Sequence, residues 1–330
     1  MRLLRLLAAC ILATSFSRGL VAQVHTVALT IDDLPFVKGN DARATGSADV
    51  KAATSANRRL LKALARHKVP VTGFVVEQRT GDLRSAEGKT ILREWTRSGL
   101  DLGNHTYGHP DFDTKTVAEF EDQIIRGEAT IVPMMKSVGR KVEFFCFPFN
   151  HAGDTKEKHD AVAGFLAQRG YRLAPCTIET SDWMFNSAYV MMLARKDRDS
   201  AARLRADYLA FTSVQIDYFQ RMNTKVLGYE PPEIMLIHDN NQLNADVIEQ
   251  LLELFERKQY RWITLNQAES DQAYQAPDTF ITKFGPMWGY RWARVRNVKV
   301  DGSLEPDPPK WVADYGKSEP VAPRRPRSQF

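Results

Sequence analysis

The chain has 330 residues, 43% of them hydrophobic, which is enough to bury one large core within a single barrel-sized domain. Its formal net charge of +5 is small for this length, and arginines near the two ends (Arg2 and Arg5; Arg324, Arg325 and Arg327) carry much of it. The body is close to neutral with no basic stripe, which excludes the electrostatic footprint of a nucleic-acid binder, and the 26% charged content is that of an ordinary globular surface.

In chain order, residues 1–22 read as a signal peptide. Arg2 and Arg5 form a positive start, and the apolar run Leu6–Phe16 is too short to span a bilayer as a helix. Cleavage after Ala22 implies export to a bacterial periplasm or to the outside medium. Leu7–Cys10 also resembles a lipoprotein cleavage box, though almost no apolar run precedes it. No later stretch is long and apolar enough to cross a membrane, so an integral membrane protein is not expected.

Seven β-rich runs follow: His25–Asp33, Val69–Glu77, Leu100–Asn104, Val142–Pro148, Tyr171–Ile178, Glu233–His238 and Tyr260–Leu265. Helical patterns lie between them. Val50–Ala65 carries Leu60, Leu61 and Leu64; Thr116–Lys136 carries Val117, Phe120, Ile124, Ile131 and Met135; Asn244–Lys258 carries Val247, Ile248, Leu251, Leu252 and Phe255. Spacings of three, four and seven gather these on one helical face. Continuous apolar strands such as Ile234–Ile237 suit a parallel sheet covered on both sides. Strand then helix, repeated about seven times, predicts an α/β fold, either a barrel or an open doubly wound sheet.

No strand is expected between Trp183 and Pro231, and about 187–222 reads as a long helical insertion. The barrel is expected over 23–275, an extension packed on it over 276–300, and a disordered Pro- and Arg-rich tail over 301–330. Cys146 and Cys176 remain after signal cleavage. They are expected unpaired, because their strand positions, at about 3.3 Å per residue, stand too far apart to bridge.

Polar residues collect at the strand ends. The first run ends in Asp32-Asp33, the third leads into His105 and His109, the fourth ends at Cys146-Phe147-Pro148-Phe149, the fifth leads to Asp182-Trp183, and the sixth ends at His238. In α/β barrels these ends converge on the active face. His105 and His109 have the spacing of a metal-ligand pair on a helical turn, and a neighbouring aspartate completes a His₂Asp set for a divalent ion. That set suits zinc, with cobalt or nickel as substitutes, and leaves a position open for water. Of Asp32-Asp33, one carboxylate can bind metal and the other act as general base, although Asp-Asp before Leu-Pro is also ordinary turn chemistry. His238 can protonate a leaving group with Asp182 holding its ring, although a histidine closing an apolar strand is also a common core residue. Trp183 can form a wall of a substrate groove.

These residues resemble the polysaccharide deacetylases, the NodB-homology carbohydrate esterases. Thr30-Ile31-Asp32-Asp33-Leu34-Pro35 resembles the first motif of that family, and His105-Thr-Tyr-Gly-His109 the second. Phe147-Pro148-Phe149 is similar to the core of the third, Ser181-Asp182-Trp183 to the fourth and Leu236-Ile237-His238 to the fifth. The resemblance covers roughly residues 24–270. It implies a distorted seven-stranded parallel (β/α) barrel and metal-dependent hydrolysis of N-acetyl or O-acetyl groups on a glycan or amino sugar. It further implies Asp32 as catalytic base, Asp33, His105 and His109 as metal ligands, His238 as catalytic acid and Asp182 as its partner. Trp183 and Leu236 resemble the acetyl-methyl pocket, and the Phe149 N–H stands where the family supports the oxyanion.

Three departures stand out. Cys146 occupies the position of an arginine that holds the catalytic base, and a thiol offers no fork of donors. Leu34 and Asn150 replace glycines. The insertion can cover one side of the site. The alternatives are a glycan-binding homologue that keeps the metal with weakened catalysis, and metal-dependent cleavage of another amide or a phosphoester. The sequence leaves open the glycan, the native metal and the oligomeric state.

Overall fold

The computed structural model describes residues 25–36, 50–83, 85–238 and 242–317. The expected signal peptide and residues 318–330 of the expected tail lie outside them.

Among the described residues, eight strands form one sheet: β1 (His25–Leu34), β2 (Val71–Val75), β3 (Asp101–Asn104), β4 (Phe144–Phe145), β5 (Arg172–Leu173), β6 (Ile178–Glu179), β7 (Glu233–His238) and β8 (Tyr260–Trp262). Their order is β5-β4-β3-β2-β1-β7-β6, with β8 paired to the start of β1, and every pairing is parallel. The expected fifth strand is thus two short pieces of one segment. Pro175 between them has no N–H for a ladder. The first piece pairs with β4 and the second with β7, so a single segment joins both edges of the sheet. This is the distorted seven-stranded barrel that the resemblance implies.

β1 is buried on both faces from Val27 onward. Val27, Leu29 and Ile31 face the helices, packing with Leu60, Leu64, Leu251 and Leu252, while Ala28 faces a smaller inner cluster with Phe74, Ile234 and Leu236. This period of two puts Asp32 on the inner side with Ala28 and Thr30. Cys146 and Cys176, expected to stand far apart, both belong to that inner cluster and are free thiols. The split of the fifth strand is what carries Cys176 inward.

The expected single helix over Thr116–Lys136 is two, Val117–Arg126 and Glu128–Ser137. Gly127 joins them at a close approach: a Cβ there would stand 2.5 Å from Asn104 Oδ1 and 2.9 Å from the Thr106 backbone. The junction therefore supports the loop that carries His105. The helical insertion comprises Asp182–Arg195 and Arg198–Leu227. Phe185, Tyr189, Met192, Leu204 and Tyr208 bury a cluster of their own against Leu243 and Val247 of the helix Gln242–Arg257.

The expectation of a disordered tail from residue 301 is corrected for 301–317. Lys310–Lys317 is a helix whose Val312 is fully buried in the insertion's cluster, and Trp311 Nε1 donates to Asp207 at 3.0 Å. Pro-rich composition suggested disorder, but the short run Trp311-Val312 supplies enough apolar surface to dock. Over 276–300, the helix Trp288–Val295 buries Trp292 and Ala293 in the main core.

Candidate active site

β1 and β7 are in a register that pairs Asp32 with His238, which brings the first and fifth motifs together at the C-terminal end of the barrel. Asp33 would point to the opposite face in a regular strand. It adopts φ 73°, and the β1–β2 register shifts between Ile31 and Leu34, so both carboxylates reach the same place. Thr106, His109, Phe149, Asn150 and Ser181 are also left-handed. Backbone strain of this kind gathers at sites that the surrounding fold over-determines.

The His105–His109 segment is not helical, contrary to the expected helical turn. It is a loop held by side chains: Thr106 N–H donates to Asn104 Oδ1 at 2.8 Å, and His109 N–H donates to Thr106 Oγ1 at 3.0 Å. The two left-handed residues bring the imidazoles together regardless, with ring centroids 4.8 Å apart. His105 Nδ1 donates to the Cys146 carbonyl at 2.7 Å, which turns its Nε2 toward the acids, 3.6 Å from Asp32 Oδ2 and 3.8 Å from Asp33 Oδ1. His109 Nε2 lies 3.4 Å from Asp33 Oδ1.

Asp33, His105 and His109 offer ligand atoms within 4.8 Å of one another, and all three side chains are nearly closed to solvent. This donor set fits a divalent ion. The second ring nitrogen of His105 is anchored on a carbonyl, as metal-binding imidazoles usually are. Asp32, His105 and Cys146 form a second, overlapping set of the same span.

The site's electrostatics separate the two aspartates. Burial pushes Asp32 up to about 7, against the lowering influence of His238. Burial also acts to raise Asp33, but the charges of Arg79, His109 and His105 outweigh it and hold that carboxyl well below the usual range. Burial lowers His105 to about 3, helped by His109, and lowers His109 to about 4 with Asp33 opposing. Both rings are therefore neutral, the form that ligates metal.

The opposite wall is built on Asp182, which is fully buried. His238 Nδ1 donates to its Oδ1 at 2.8 Å, and His238 backbone N–H donates to its Oδ2 at 2.6 Å. Burial opposes the protonated imidazole, but Asp182 outweighs it and raises His238 to about 10. Trp183 is half exposed beside Asp182, Leu236 is buried on β7, and the ring of Phe149 meets His109 edge-on at 4.7 Å. Cys146 Sγ donates to Asp32 Oδ2 at 3.3 Å, a weak bond where an arginine fork is usual, and burial with the neighbouring Asp32 pushes its thiol well above its ordinary value.

Three residues that the structure brings to this site were not read from the sequence. Arg79, two residues past the expected second strand, sits 2.6 Å from Asp33 Oδ1 and donates to the Asp33 carbonyl at 3.2 Å. A guanidinium does reach the acid pair, but on Asp33 and not on Asp32. Scanning the end of every strand for polar groups, the second included, would have found it. Asn244 Nδ2 donates to Asp182 Oδ2 at 2.5 Å and to the His238 carbonyl at 2.8 Å. Glu179 accepts from the Ser181 N–H at 2.6 Å, and burial beside Asp182 raises it to about 7. Nothing in the sequence marks these last two.

The family comparison bears out the resemblance: residues 21–167 match the family model described as polysaccharide deacetylase. The match takes in the first three motifs, while Ser181–Trp183 and Leu236–His238 lie beyond it. Among solved structures the chain is similar to a CE4 family pseudoenzyme from Bacillus anthracis, at 17% identity and TM-score 0.48, covering 74% of this chain and 65% of that one. It is similar to the peptidoglycan deacetylase PdaC from Bacillus subtilis, at 18% identity and TM-score 0.46, over 75% of this chain and 91% of that one. It is also similar to a polysaccharide deacetylase from Bacillus cereus, at 15% identity and TM-score 0.48, over 73% and 91%. No curated protein sequence matches the chain.

Proposed function

We propose that this chain hydrolyses acetyl groups, N-acetyl groups foremost, on a glycan or amino-sugar substrate, with a divalent ion held by Asp33, His105 and His109. The observation that carries this reading is the pairing of Asp32 with His238 across the mouth of that ligand set. A base and an acid at the ends of adjacent strands are what hydrolysis of an amide beside that ion requires. Zinc is the ion that the His₂Asp donors favour; when bound, it supplies Lewis acidity that polarises the acetyl carbonyl and makes water more acidic.

Asp32, raised to about 7, is matched to accept a proton from the attacking water near neutral pH. Asp33 is the poorer base, because Arg79 and both histidines favour its ionised form. The Phe149 N–H supports the developing oxyanion. His238, kept protonated by Asp182, gives its proton to the departing amine. An amide needs that proton more than an ester does, so N-acetyl substrates should depend on His238 the more strongly.

Acetate release from N-acetylglucosamine oligomers, after chelator stripping and reloading with zinc, cobalt or nickel, tests the proposal. Activity that disappears and returns with the ion is the expected result. No acetate from any acetylated sugar under any ion would overturn it.

A second reading, a glycan-binding homologue with weakened catalysis, is favoured by the single S–H bond from Cys146 to Asp32. Cys146→Arg separates the two. An enzyme changes by less than about tenfold, whereas a binding module gains activity from near zero. We also propose export to the periplasm or medium, from the composition of residues 1–22. Recovery of the uncleaved chain in the cytoplasm would overturn that.

A further inference from the structure

The turn after β4 contains two consecutive left-handed residues, neither of them glycine: Phe149 at φ 60° and Asn150 at φ 56°. Such backbone persists only where its surroundings over-determine it. Local bonds supply part of the restraint. Asn150 N–H donates to the Phe147 carbonyl at 3.1 Å, and His151 N–H donates to the Pro148 carbonyl at 3.2 Å.

The rest comes from far along the chain. Arg291, which is 2% exposed, donates through Nη2 to the Asn150 carbonyl at 3.1 Å and through Nη1 to Asp278 Oδ2 at 2.6 Å. Asp278 also stands 3.5 Å from His159 Nε2, and the guanidinium lies over the Trp288 ring, 4.9 Å from its centroid. Gly285 presses on the same turn from the side. A Cβ there would stand 1.9 Å from the Phe149 carbonyl oxygen and 2.8 Å from Asn150 Cβ, so only glycine admits this contact. Trp288 N–H donates to the Cys176 carbonyl at 2.7 Å, which fastens the segment to the barrel. Two carbonyls in succession are thus gripped, one by a buried charge and one by contact.

We propose that the segment Asp278–Arg291 is a clamp on the Pro148–Asn150 turn, and that Arg291 and Gly285 are positioning residues for the Phe149 N–H. The role of that N–H at the acetyl oxygen rests on the deacetylase reading; the clamp itself rests on the contacts alone. A donor to an oxyanion acts by being fixed before charge develops, and a misplacement of about 1 Å can cost about 100-fold in rate. A turn strained at two residues would not keep such a donor still unaided. The segment lies outside the matched residues 21–167.

The test uses the full chain with Arg291→Lys, which loses the fork, and Gly285→Ala, which intrudes on Phe149 while leaving the buried arginine intact. Tyr218→Phe is the control, because it removes the 2.8 Å bond to Tyr290 in the same extension without touching the turn. Amide exchange at Asn150 and His151 should accelerate about tenfold or more in both variants, with β1 amides unchanged. For acetate release from the N-acetylglucosamine oligomers, kcat should fall by about 10- to 100-fold with KM nearly constant. The control should move neither readout. Unchanged exchange in both variants, or a kcat loss that merely follows the melting temperature in all three, overturns the clamp. If the parent chain releases no acetate while exchange still rises, the clamp stands and the deacetylase reading falls. If the parent is active and exchange does not move, the reading stands and the clamp falls.

Discussion

Two carboxyl groups are buried at opposite ends of β7, and the fold treats them in opposite ways. Asp182 lies at the C-terminal end of the strand, against His238; Glu233 begins the strand at the other end, and both are fully buried. Burial alone raises each of them. At Asp182 the charge and hydrogen bonds of His238, with Asn244 behind, outweigh burial and hold the carboxyl below its ordinary value. At Glu233 the partners are neutral, Thr177 and an Asn223 amide at 2.8 Å, and burial pushes it up to about 7. Burial at both ends therefore accompanies a fixed anion at one end and, below about pH 7, a neutral acid at the other. The difference is made by one cation and by the strand end at which it stands.

The largest expected effect breaks the upper half of this comparison. Asp182→Asn leaves the hydrogen-bonding shape but removes the charge that keeps His238 protonated. It should lower kcat for acetate release by about 10²- to 10⁴-fold. The alkaline limb of the kcat profile should move to lower pH, because the acid loses its proton sooner. An unmoved limb would assign the acid role to another group.

Glu233→Gln tests the lower half through stability. The folded carboxyl keeps its proton up to about 7, whereas an ordinary glutamic acid releases it near 4.5. Between those values the folded state binds more protons than the unfolded one, so this contribution to stability is present below pH 4.5, falls as pH rises and levels off above about 7. The variant should remove a pH-dependent change on the order of 3 kcal/mol across that window. Denaturant midpoints at several pH values measure it, and an equal slope in both proteins would show Glu233 ionised in the fold.

The smallest effect sharpens the contrast. Asn223→Ala takes a neutral partner from Glu233 and should cost about 1 kcal/mol, more at pH 8 than at pH 5, because only the ionised carboxylate depends strongly on the donor. A cost that is larger at pH 5 would reverse the assignment.

Most of the fold was legible because hydrophobic periodicity is local. Ala28 and Ile31 alternate faces within β1, and Leu60 and Leu64 share one helical face, whatever lies opposite. The boundaries that failed are those set by contacts from elsewhere. Thr116–Lys136 divides at Gly127, where Asn104 and Thr106 approach too closely for any Cβ, and residues 310–317 fold because the insertion offers Val312 a pocket. The motif residues of the candidate site were legible because their types are rare and their spacings short. Arg79, Asn244 and Arg291 were not, since an arginine or asparagine has no meaning in sequence until its acceptor is known.

By itself the sequence determined which segments become buried strands, which histidines and acids stand at their ends, and which family those motifs resemble, because side-chain type and period act over a few residues. Only the tertiary structure decided that Asp32 faces His238, that the guanidinium meets Asp33, and that the C-terminal segment grips the Phe149 turn. Register, burial and charge pairing join residues as distant in the chain as His25 and Tyr260, and their energies exist only once those residues are in contact.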